Sequence, residues 1–426
     1  MSRELTHFIG GQHRAGASGR FGDVFDPSTG EVQARVPLAN QNEVDAAITN
    51  AVVAQPEWGD TNPQRRARVL LKFLELIAKD TDTLAKTLTS EHGKTLADSR
   101  GEIQRGIEVI EFSVGAPHFL KGEYSVGAGV GIGVYSMRQP LGVVAGITPF
   151  NFPAMIPLWK LGPALASGNA FILKPSERDP SMPLRIAELF LEAGLPAGVL
   201  NVVNGDREAV DAILHDPRIK AVGFVGSTPI AQYIYTTATA QGKRAQCFGG
   251  AKNHLIVMPD ADLEQVADAL IGSGYGSAGE RCMAISVAVP VGRETADALA
   301  AVLVERVRKL KVGSPLDDAS DYGPLVTAAA KTRVEGDIAS GVSEGATLLA
   351  DGRGLVVEGH EQGFYLGPTL FDHVKTDMRI YREEIFGPVL LIARADTYEA
   401  ALAMASNNPY GNGVATFTRG GDTARD

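Results

Sequence analysis

Only two of the 426 residues are cysteines, Cys247 and Cys282. Two thiols so far apart in sequence cannot make a disulfide framework, and they lack the spacing of a zinc site, so no metal centre is expected. Long apolar runs are missing too. The most apolar stretch, "LGVVAGITPFNFPAMIPLW", is broken by Pro149, Pro153 and Pro157 and by Asn151, which argues against a membrane span. The opening "MSRELTHFIGG" has no basic region followed by an apolar one, so no secretory signal is read there. Positive charge is not in excess: the formal net charge is −10, a balance that repels nucleic acid and anionic membrane surfaces. What these absences leave is an ordinary globular composition, 44% hydrophobic and 21% charged, in a reducing, cytoplasmic setting. A chain of this length exceeds what one hydrophobic core fills, so two or more domains are expected.

Along the chain, Val44 to about Phe112 reads as three long amphipathic helices, with apolar residues at helical spacing in "RRARVLLKFLELIAKDTDTLAKTLTSEHG" and "GEIQRGIEVIEFSVGA". The glycine-rich segment Gly122 to Arg138 then reads as a hairpin or projecting ribbon. From Leu141 short apolar runs ("GVVAGI", "AFILK", "VLNVV", "IKAVGFVG") alternate with helical patterns. That βαβ alternation predicts a parallel sheet with helices on both faces, the usual scaffold for a nucleotide. A second α/β series begins after about Ala251. The expected division is 1–121 and 141–250 for a nucleotide-binding domain, 122–140 for the ribbon and 251–426 for a second α/β domain.

Four stretches can carry chemistry. In "FILKPSERDPS", Lys174 ends a strand and Glu177 follows at its edge, where a carboxylate can accept both hydroxyls of a dinucleotide ribose and repel a 2′-phosphate. A pair of solvated charges is the plain alternative. In "FVGSTPIA", a strand runs into a helix through Gly226 and Ser227, where backbone N–H groups can hold a pyrophosphate; a capped helix reads the same way. Asn151, hemmed by prolines and aromatics, can donate to a developing oxyanion or merely stabilise its own loop. Cys282 in "GSAGERCMAIS" can be a nucleophile whose pKa falls beside the cation of Arg281, or a small apolar filler.

Taken in this chain order, "PFNFP", "KLGPALASGN", "ILKPSE", "EAGLPAGVLNVV", "FVGSTPI", "AGERC", "GPTL" and "EEIFGPV" resemble the aldehyde dehydrogenase superfamily from the amino terminus to the last residue. The resemblance implies an α/β fold: a Rossmann-type NAD-binding domain, an α/β catalytic domain and a β-ribbon for oligomerisation. It implies that Cys282 is the nucleophile and Asn151 the oxyanion donor. Phe150, Lys174, Glu177, Gly226 and Ser227 would contact NAD, and Glu384 and Phe386 would hold its nicotinamide ribose.

Hydrolytic members of that superfamily place a glutamate in an "ELGGK"-type segment, as general base for the water that cleaves the acyl-enzyme. Here the run is "RAQCFGGAKNHLIVMPDAD", and no Asp or Glu lies between Glu208 and Asp260 except Asp211 and Asp216, which precede the "FVGSTPI" strand. Depending on where a gap falls, Phe248 or Cys247 takes the base's position. Neither activates water as a carboxylate does, so a thiol such as coenzyme A is the expected acceptor of the acyl group. This lack, with "GGAKNH" and "SAGERCMA", resembles the CoA-acylating methylmalonate-semialdehyde (malonate-semialdehyde) dehydrogenase branch. The implied reaction takes a 3-oxo acid with NAD and coenzyme A to an acyl-CoA, CO2 and NADH. Arg281 and Arg105 are the candidates for the substrate carboxylate; Arg281 could instead tune the thiol, and Arg105 could pair with Glu102 or Glu108 on its own helix. Glu280 and Cys247 are read as spectators.

Superfamily members continue past "TRGGDTARD", so a truncated C-terminus is expected, and with it an open edge on a ribbon that otherwise serves a homo-oligomer, dimer or tetramer. Two rival readings use the same motifs: a hydrolytic NAD-dependent enzyme for another aldehyde, and a non-catalytic binding protein on the same fold.

Overall fold

The computed structural model describes residues 3–426. Five short strands come first: β1 (Arg3–Glu4), β2 (His7–Ile9), β3 (Gln12–Arg14), β4 (Phe21–Asp26) and β5 (Glu31–Pro37). The expected long helices follow as α1 (Gln41–Asp60), α2 (Pro63–His92) and α3 (Leu96–Val114), then a short α4 (Ala116–Phe119). Asn40 and Glu43 start α1 with a reciprocal capping box: the Asn40 side chain accepts from the Glu43 N–H, and the Glu43 carboxylate accepts from the Asn40 N–H. The glycine-rich segment is an antiparallel hairpin, β6 (Tyr124–Gly129) and β7 (Ile132–Tyr135).

The alternating series follows in order: β8 (Val143–Ile147), α5 (Met155–Ala166), β9 (Ala170–Lys174), α6 (Ser181–Glu192), β10 (Leu200–Val202), α7 (Arg207–His215), β11 (Ile219–Val225), α8 (Thr228–Ala240) and β12 (Arg244–Phe248). Its sheet runs β12-β11-β8-β9-β10-β2-β3, with β12 to β10 parallel and β2 and β3 antiparallel at one edge. Every residue of β8 and β9 is buried, as expected of parallel strands covered on both faces. The chain builds outward from β8 through β9 and β10, then crosses back to lay β11 on the other side of β8. Strand order therefore reverses between β8 and β11, where the carboxyl ends of the strands leave a crevice.

The second series holds β13 (Asn253–Val257), α9 (Leu263–Tyr275), a 3₁₀ turn (Gly276–Gly279), β14 (Ile285–Pro290), α10 (Arg293–Lys309) and α11 (Ala328–Ser343). It ends with β15 (Thr347–Ala350), β16 (Thr369–Asp372), α12 (Arg379–Arg382), β17 (Val389–Ile392), α13 (Tyr398–Ser406), β18 (Val414–Phe417) and α14 (Gly421–Arg425). Its sheet runs β15-β16-β17-β14-β13-β18, antiparallel only at β15. The core of this series is a continuous apolar cluster that includes Leu255, Val287, Leu391 and Leu270.

The chain forms two compact units. One takes the residues up to Phe25, Val32–Glu91 and Ser99–Gly249; the other takes Asp26–Glu31, His92–Asp98 and Gly250–Asp426. The division near residue 250 is where the sequence pattern changes. Two short excursions, 26–31 and 92–98, belong with the second unit although they lie far ahead of it in sequence. Backbone contacts hold them there: the Leu96 N–H donates to the Pro315 carbonyl and the Phe364 N–H to the Pro27 carbonyl.

Within the first unit, two buried glutamates on the long helices cap helices that follow strand ends. Oε1 of Glu102, on α3, accepts from the N–H groups of Ala154 (2.7 Å) and Met155 (3.1 Å) at the start of α5, where no local side chain caps. Glu91, on α2, accepts from the Ser181 N–H at the start of α6, and burial pushes its carboxyl up to about 7. A carboxylate at these positions satisfies N–H groups that a helix leaves unpaired. Replacing Glu102 by Ala is expected to remove about 1–2 kcal/mol of stability, seen as a lower thermal unfolding midpoint with α5 losing hydrogen-exchange protection first; unchanged protection in α5 would refute the capping role.

Candidate active site

In the first unit the named residues gather at the carboxyl ends of three neighbouring strands. Past β8 come Phe150 and Asn151, past β9 Glu177 after the terminal Lys174, and past β11 Gly226 and Ser227. Lys174 is buried and its ammonium lies 3.2 Å from the Glu177 carboxylate, which is half-exposed. Burial acts to raise the Glu177 carboxyl, but Lys174, a backbone N–H and Arg178 outweigh it and hold it below the usual carboxylate range. Arg178 also lies over the Phe150 ring, 4.8 Å from its centroid. The two loops are thus tied to each other, and the Thr148 N–H donates to the Lys174 carbonyl at their base. Asn151 is 3% exposed. Its loop leads directly into α5, whose first N–H groups are capped by Glu102.

At the third strand end, Ser227 is the N-cap of α8 yet its side chain makes no capping hydrogen bond. A serine there normally satisfies a first-turn N–H. An anion at this helix start would meet donors that the local side chain does not use. With an ionised carboxylate past the neighbouring strand, the set fits a dinucleotide: pyrophosphate at the helix start and ribose hydroxyls at Glu177. Arg105 lies on the exposed face of α3, its backbone carbonyl accepting from Trp159 Nε1 at 3.0 Å.

The edge strand β12 settles which way the two candidates for the base's position face. Its burial alternates, with Cys247 packed against the core beneath the sheet and Phe248 on the opposite, exposed face. Asp211 and Asp216 are engaged elsewhere, Asp211 by the Tyr233 hydroxyl and Asp216 by Arg218.

The second unit places its residues at the opposite kind of edge. Cys282 precedes β14, Glu384 and Phe386 precede β17, and both loops lie at the amino ends of parallel neighbours. They line one narrow pocket, with Asn253, Arg281 and Ile385. Two strained backbones meet here. Ser277 and Ala278 (φ 55° and 53°) lead into the nucleophile loop, and Phe386 (φ 55°) shapes the other. A Cβ on Gly279 would lie 2.1 Å from the Gly387 carbonyl oxygen, so only glycine allows the loops to touch. Conformations like these cost of order 1–3 kcal/mol each and persist where the surroundings over-determine them. Arg333 donates to the carbonyls of Ile385 and Phe386.

Around the sulfur the structure departs from the expectation that Arg281 lowers the thiol pKa. The guanidinium is drawn to Asp98 (2.6 Å) and to the Gly272 carbonyl (3.2 Å), because an ionised carboxylate on the first turn of α3 is the stronger attraction. Burial pushes the Cys282 thiol up, the Glu384 carboxylate adds to that, and the N–H groups of Cys282 and Met283 oppose it. Glu384 is itself raised by burial, against the pull of the Ala251 N–H, Lys252 and Arg333. Glu280 is buried, with Oε2 accepting from the Val326 N–H at 3.2 Å. Sequence reasoning missed Asn253 and Asn412, whose amides both donate to the Cys282 carbonyl, at 2.9 and 2.8 Å. An asparagine in "GGAKNH" was the available signal for the first; for the second there was none. In the protein without cofactor, iodoacetamide should label Cys282 at a rate that still climbs above pH 9, the ordinary thiol value; a plateau already reached at neutral pH would contradict the raised pKa.

Comparison with known proteins follows the same lines. Residues 13–426 match the aldehyde dehydrogenase family. The malonate-semialdehyde dehydrogenase of Pseudomonas aeruginosa is 56% identical over 421 residues, covering 99% of this chain and 84% of the relative. The mitochondrial acylating methylmalonate-semialdehyde dehydrogenase of Arabidopsis thaliana is 48% identical over 425 residues, 100% of this chain and 70% of the relative. Among solved structures, a Sinorhizobium meliloti protein complexed with NAD superposes with a TM-score of 0.99 at 60% identity, over 100% of this chain and 87% of that one. The methylmalonate-semialdehyde dehydrogenase of Oceanimonas doudoroffii gives 0.98 at 52% identity, over 100% and 87%. No helix among the described residues is long and apolar enough to cross a membrane. With residues 13–426 matched and relatives 56% and 48% identical over nearly the whole chain, this chain belongs to the aldehyde dehydrogenase family.

Proposed function

We propose that the protein is an NAD-dependent, CoA-acylating methylmalonate-semialdehyde or malonate-semialdehyde dehydrogenase. The observation that carries this reading is the end of β12, where Phe248 and Cys247 stand in place of a water-activating carboxylate, in a chain whose relatives bear that name. The Cys282 thiolate adds to the aldehyde carbon, and the Asn151 amide and the Cys282 N–H steady the oxyanion. NAD, when bound, supplies the acceptor for the hydride that leaves the same carbon. Lys174, Glu177, Phe150, Gly226 and Ser227 hold it on the first unit, and Glu384 and Phe386 on the second.

The product of oxidation is a thioester on Cys282 with a carboxylate β to its carbonyl. Loss of CO2 passes the electron pair of the broken C–C bond into the thioester as an enolate, which takes up a proton. The thiolate of coenzyme A then attacks the acyl carbon, and the Cys282 thiolate leaves. Thiol exchange of this kind needs no carboxylate base, whereas hydrolysis does. Arg105 and Arg281 are the cations assigned to the substrate carboxylate, with Asp98 competing for Arg281. Residues 1–121 and 141–250 act as the NAD-binding domain, 251–426 as the catalytic domain, and 122–140 as the ribbon that pairs with a second copy. The exposed side chains of Tyr124, Val126, Ile132 and Tyr135 suit that pairing. A cytoplasmic setting completes the reading.

The carboxylate of Glu384, which shares the Cys282 pocket, is the feature that favours hydrolysis as the second reading. NADH formation from malonate semialdehyde should depend on coenzyme A, yield acetyl-CoA, and vanish in Cys282→Ala. Release of free acid at the same rate without coenzyme A would establish the hydrolytic reading instead. Glu177→Gln is expected to weaken NAD about tenfold or more, the loss of hydrogen bonds to a charged group, and to leave NADP binding unchanged or improved; an unaltered NAD-to-NADP ratio would remove Glu177 from the cofactor site.

A further inference from the structure

The tripeptide Lys252–Asn253–His254 sits at the start of β13, fully inside the second unit, with exposures of 3%, 3% and 1%. Three consecutive buried polar side chains at a strand start demand partners, and their partners divide by strand alternation. Lys252 and His254 face one way, to the helix ahead of Glu384. Asn253 faces the other way, to the nucleophile loop.

The Lys252 ammonium donates to the carbonyls of Ile380 (2.6 Å) and Glu383 (2.7 Å), the last turn of α12 and the residue after it. The Glu383 carbonyl shares its peptide plane with the Glu384 N–H, so holding that oxygen sets the plane from which Glu384 departs. The residue just before Lys252 acts on the side chain itself: the Ala251 N–H donates to Glu384 Oε1 at 2.9 Å. His254 braces the same helix. Its Nδ1 lies 2.7 Å from the Lys252 carbonyl and its Nε2 2.9 Å from the Tyr381 hydroxyl. A carbonyl accepts only, so Nδ1 carries the proton; the single Tyr381 hydroxyl proton is shared between Nε2 and the Met404 carbonyl, 3.1 Å away.

On the other side, Asn253 Nδ2 donates to the carbonyls of Cys282 (2.9 Å) and Ala284 (2.8 Å), and its Oδ1 accepts from the Gly413 N–H (3.0 Å). Both amide donors and an acceptor lone pair are in use, which leaves the side chain no alternative orientation. The Cys282 carbonyl belongs to the same trans peptide plane as the Met283 N–H, and the two point in opposite directions. Clamping the oxygen therefore aims the N–H, one of the two groups that favour the thiolate.

We infer that Lys252–Asn253–His254 is the bracket that sets both halves of the second unit's site: Asn253 aims the backbone donor at the Cys282 sulfur, and Lys252 with His254 orients Glu384 toward the cofactor. These are positioning residues, acting through peptide planes. The inference rests on the roles proposed for Cys282 and Glu384.

The test uses the full chain and three readouts: thermal midpoint, NAD affinity by fluorescence titration, and the pH profile of Cys282 alkylation without cofactor, followed by peptide mass spectrometry. Lys252→Met should weaken NAD about tenfold, the loss of two buried hydrogen bonds, with the alkylation profile unmoved. Asn253→Leu should move that profile to higher pH, with NAD affinity within about twofold of the parent. The milder changes Tyr381→Phe, which removes only a buried hydroxyl, and Asn412→Ala, at an exposed side chain, each remove one brace from the respective side; they should reproduce the split in smaller measure and keep the test open if the other variants do not fold. Loss of both readouts together, in step with the thermal midpoint, would overturn the bracket in favour of a general structural role. So would an Asn253→Leu protein with the parent's profile. Glu384→Gln separates the two levels: if it leaves NAD affinity intact, the role of Glu384 fails; if it weakens NAD and Lys252→Met does not, the bracket alone fails.

Discussion

Around Cys282 the groups that favour a thiolate are backbone N–H groups rather than a side-chain cation. The neighbouring arginine is held by Asp98, and burial with Glu384 pushes the thiol up. What favours the thiolate is a pair of N–H groups whose direction depends on peptide planes fixed from behind. The strained turn through Ser277 and Ala278 and the close approach of Gly279 to Gly387 serve that fixing. Backbone dipoles cost no reorganisation when charge appears on sulfur, provided nothing lets them rotate. The two asparagine amides on the Cys282 carbonyl supply that restraint.

The two units use their sheets differently. In the first, the chain reverses direction across β8, and the carboxyl ends of β11, β8 and β9 carry the residues suited to a dinucleotide. In the second, the chemistry lies at the amino ends of β14, β17 and β13. Loops that enter strands have carbonyls and side chains of neighbouring strand starts beside them. Those are the groups that Lys252, Asn253 and His254 engage.

On the edge strand β12 two neighbouring residues face opposite ways. Because side chains alternate along β12, a single register decides that Phe248 faces outward and Cys247 faces the core. With neither offering a carboxylate, coenzyme A's own thiolate is the nucleophile that needs least help. The two buried glutamates of α2 and α3 each satisfy N–H groups at the start of a helix that follows a strand of the first sheet.

The fold class, the three long helices and the glycine-rich hairpin were legible in sequence, because apolar periodicity and glycine spacing are local properties of the chain. The candidates for chemistry, Cys282, Asn151, Lys174, Glu177 and Glu384, stand out in sequence by residue type and company. Partnership was not legible. Asp98 and Arg281 are 183 residues apart, Glu102 and Ala154 are 52 apart, and Asn412 and Cys282 are 130 apart. Local pattern carries no signal for such pairs; they exist because sheet order and helix packing bring distant segments together. By itself, then, the sequence determined which side chains can react, and only the tertiary structure decided which charges neutralise one another and which N–H groups remain to steady the sulfur.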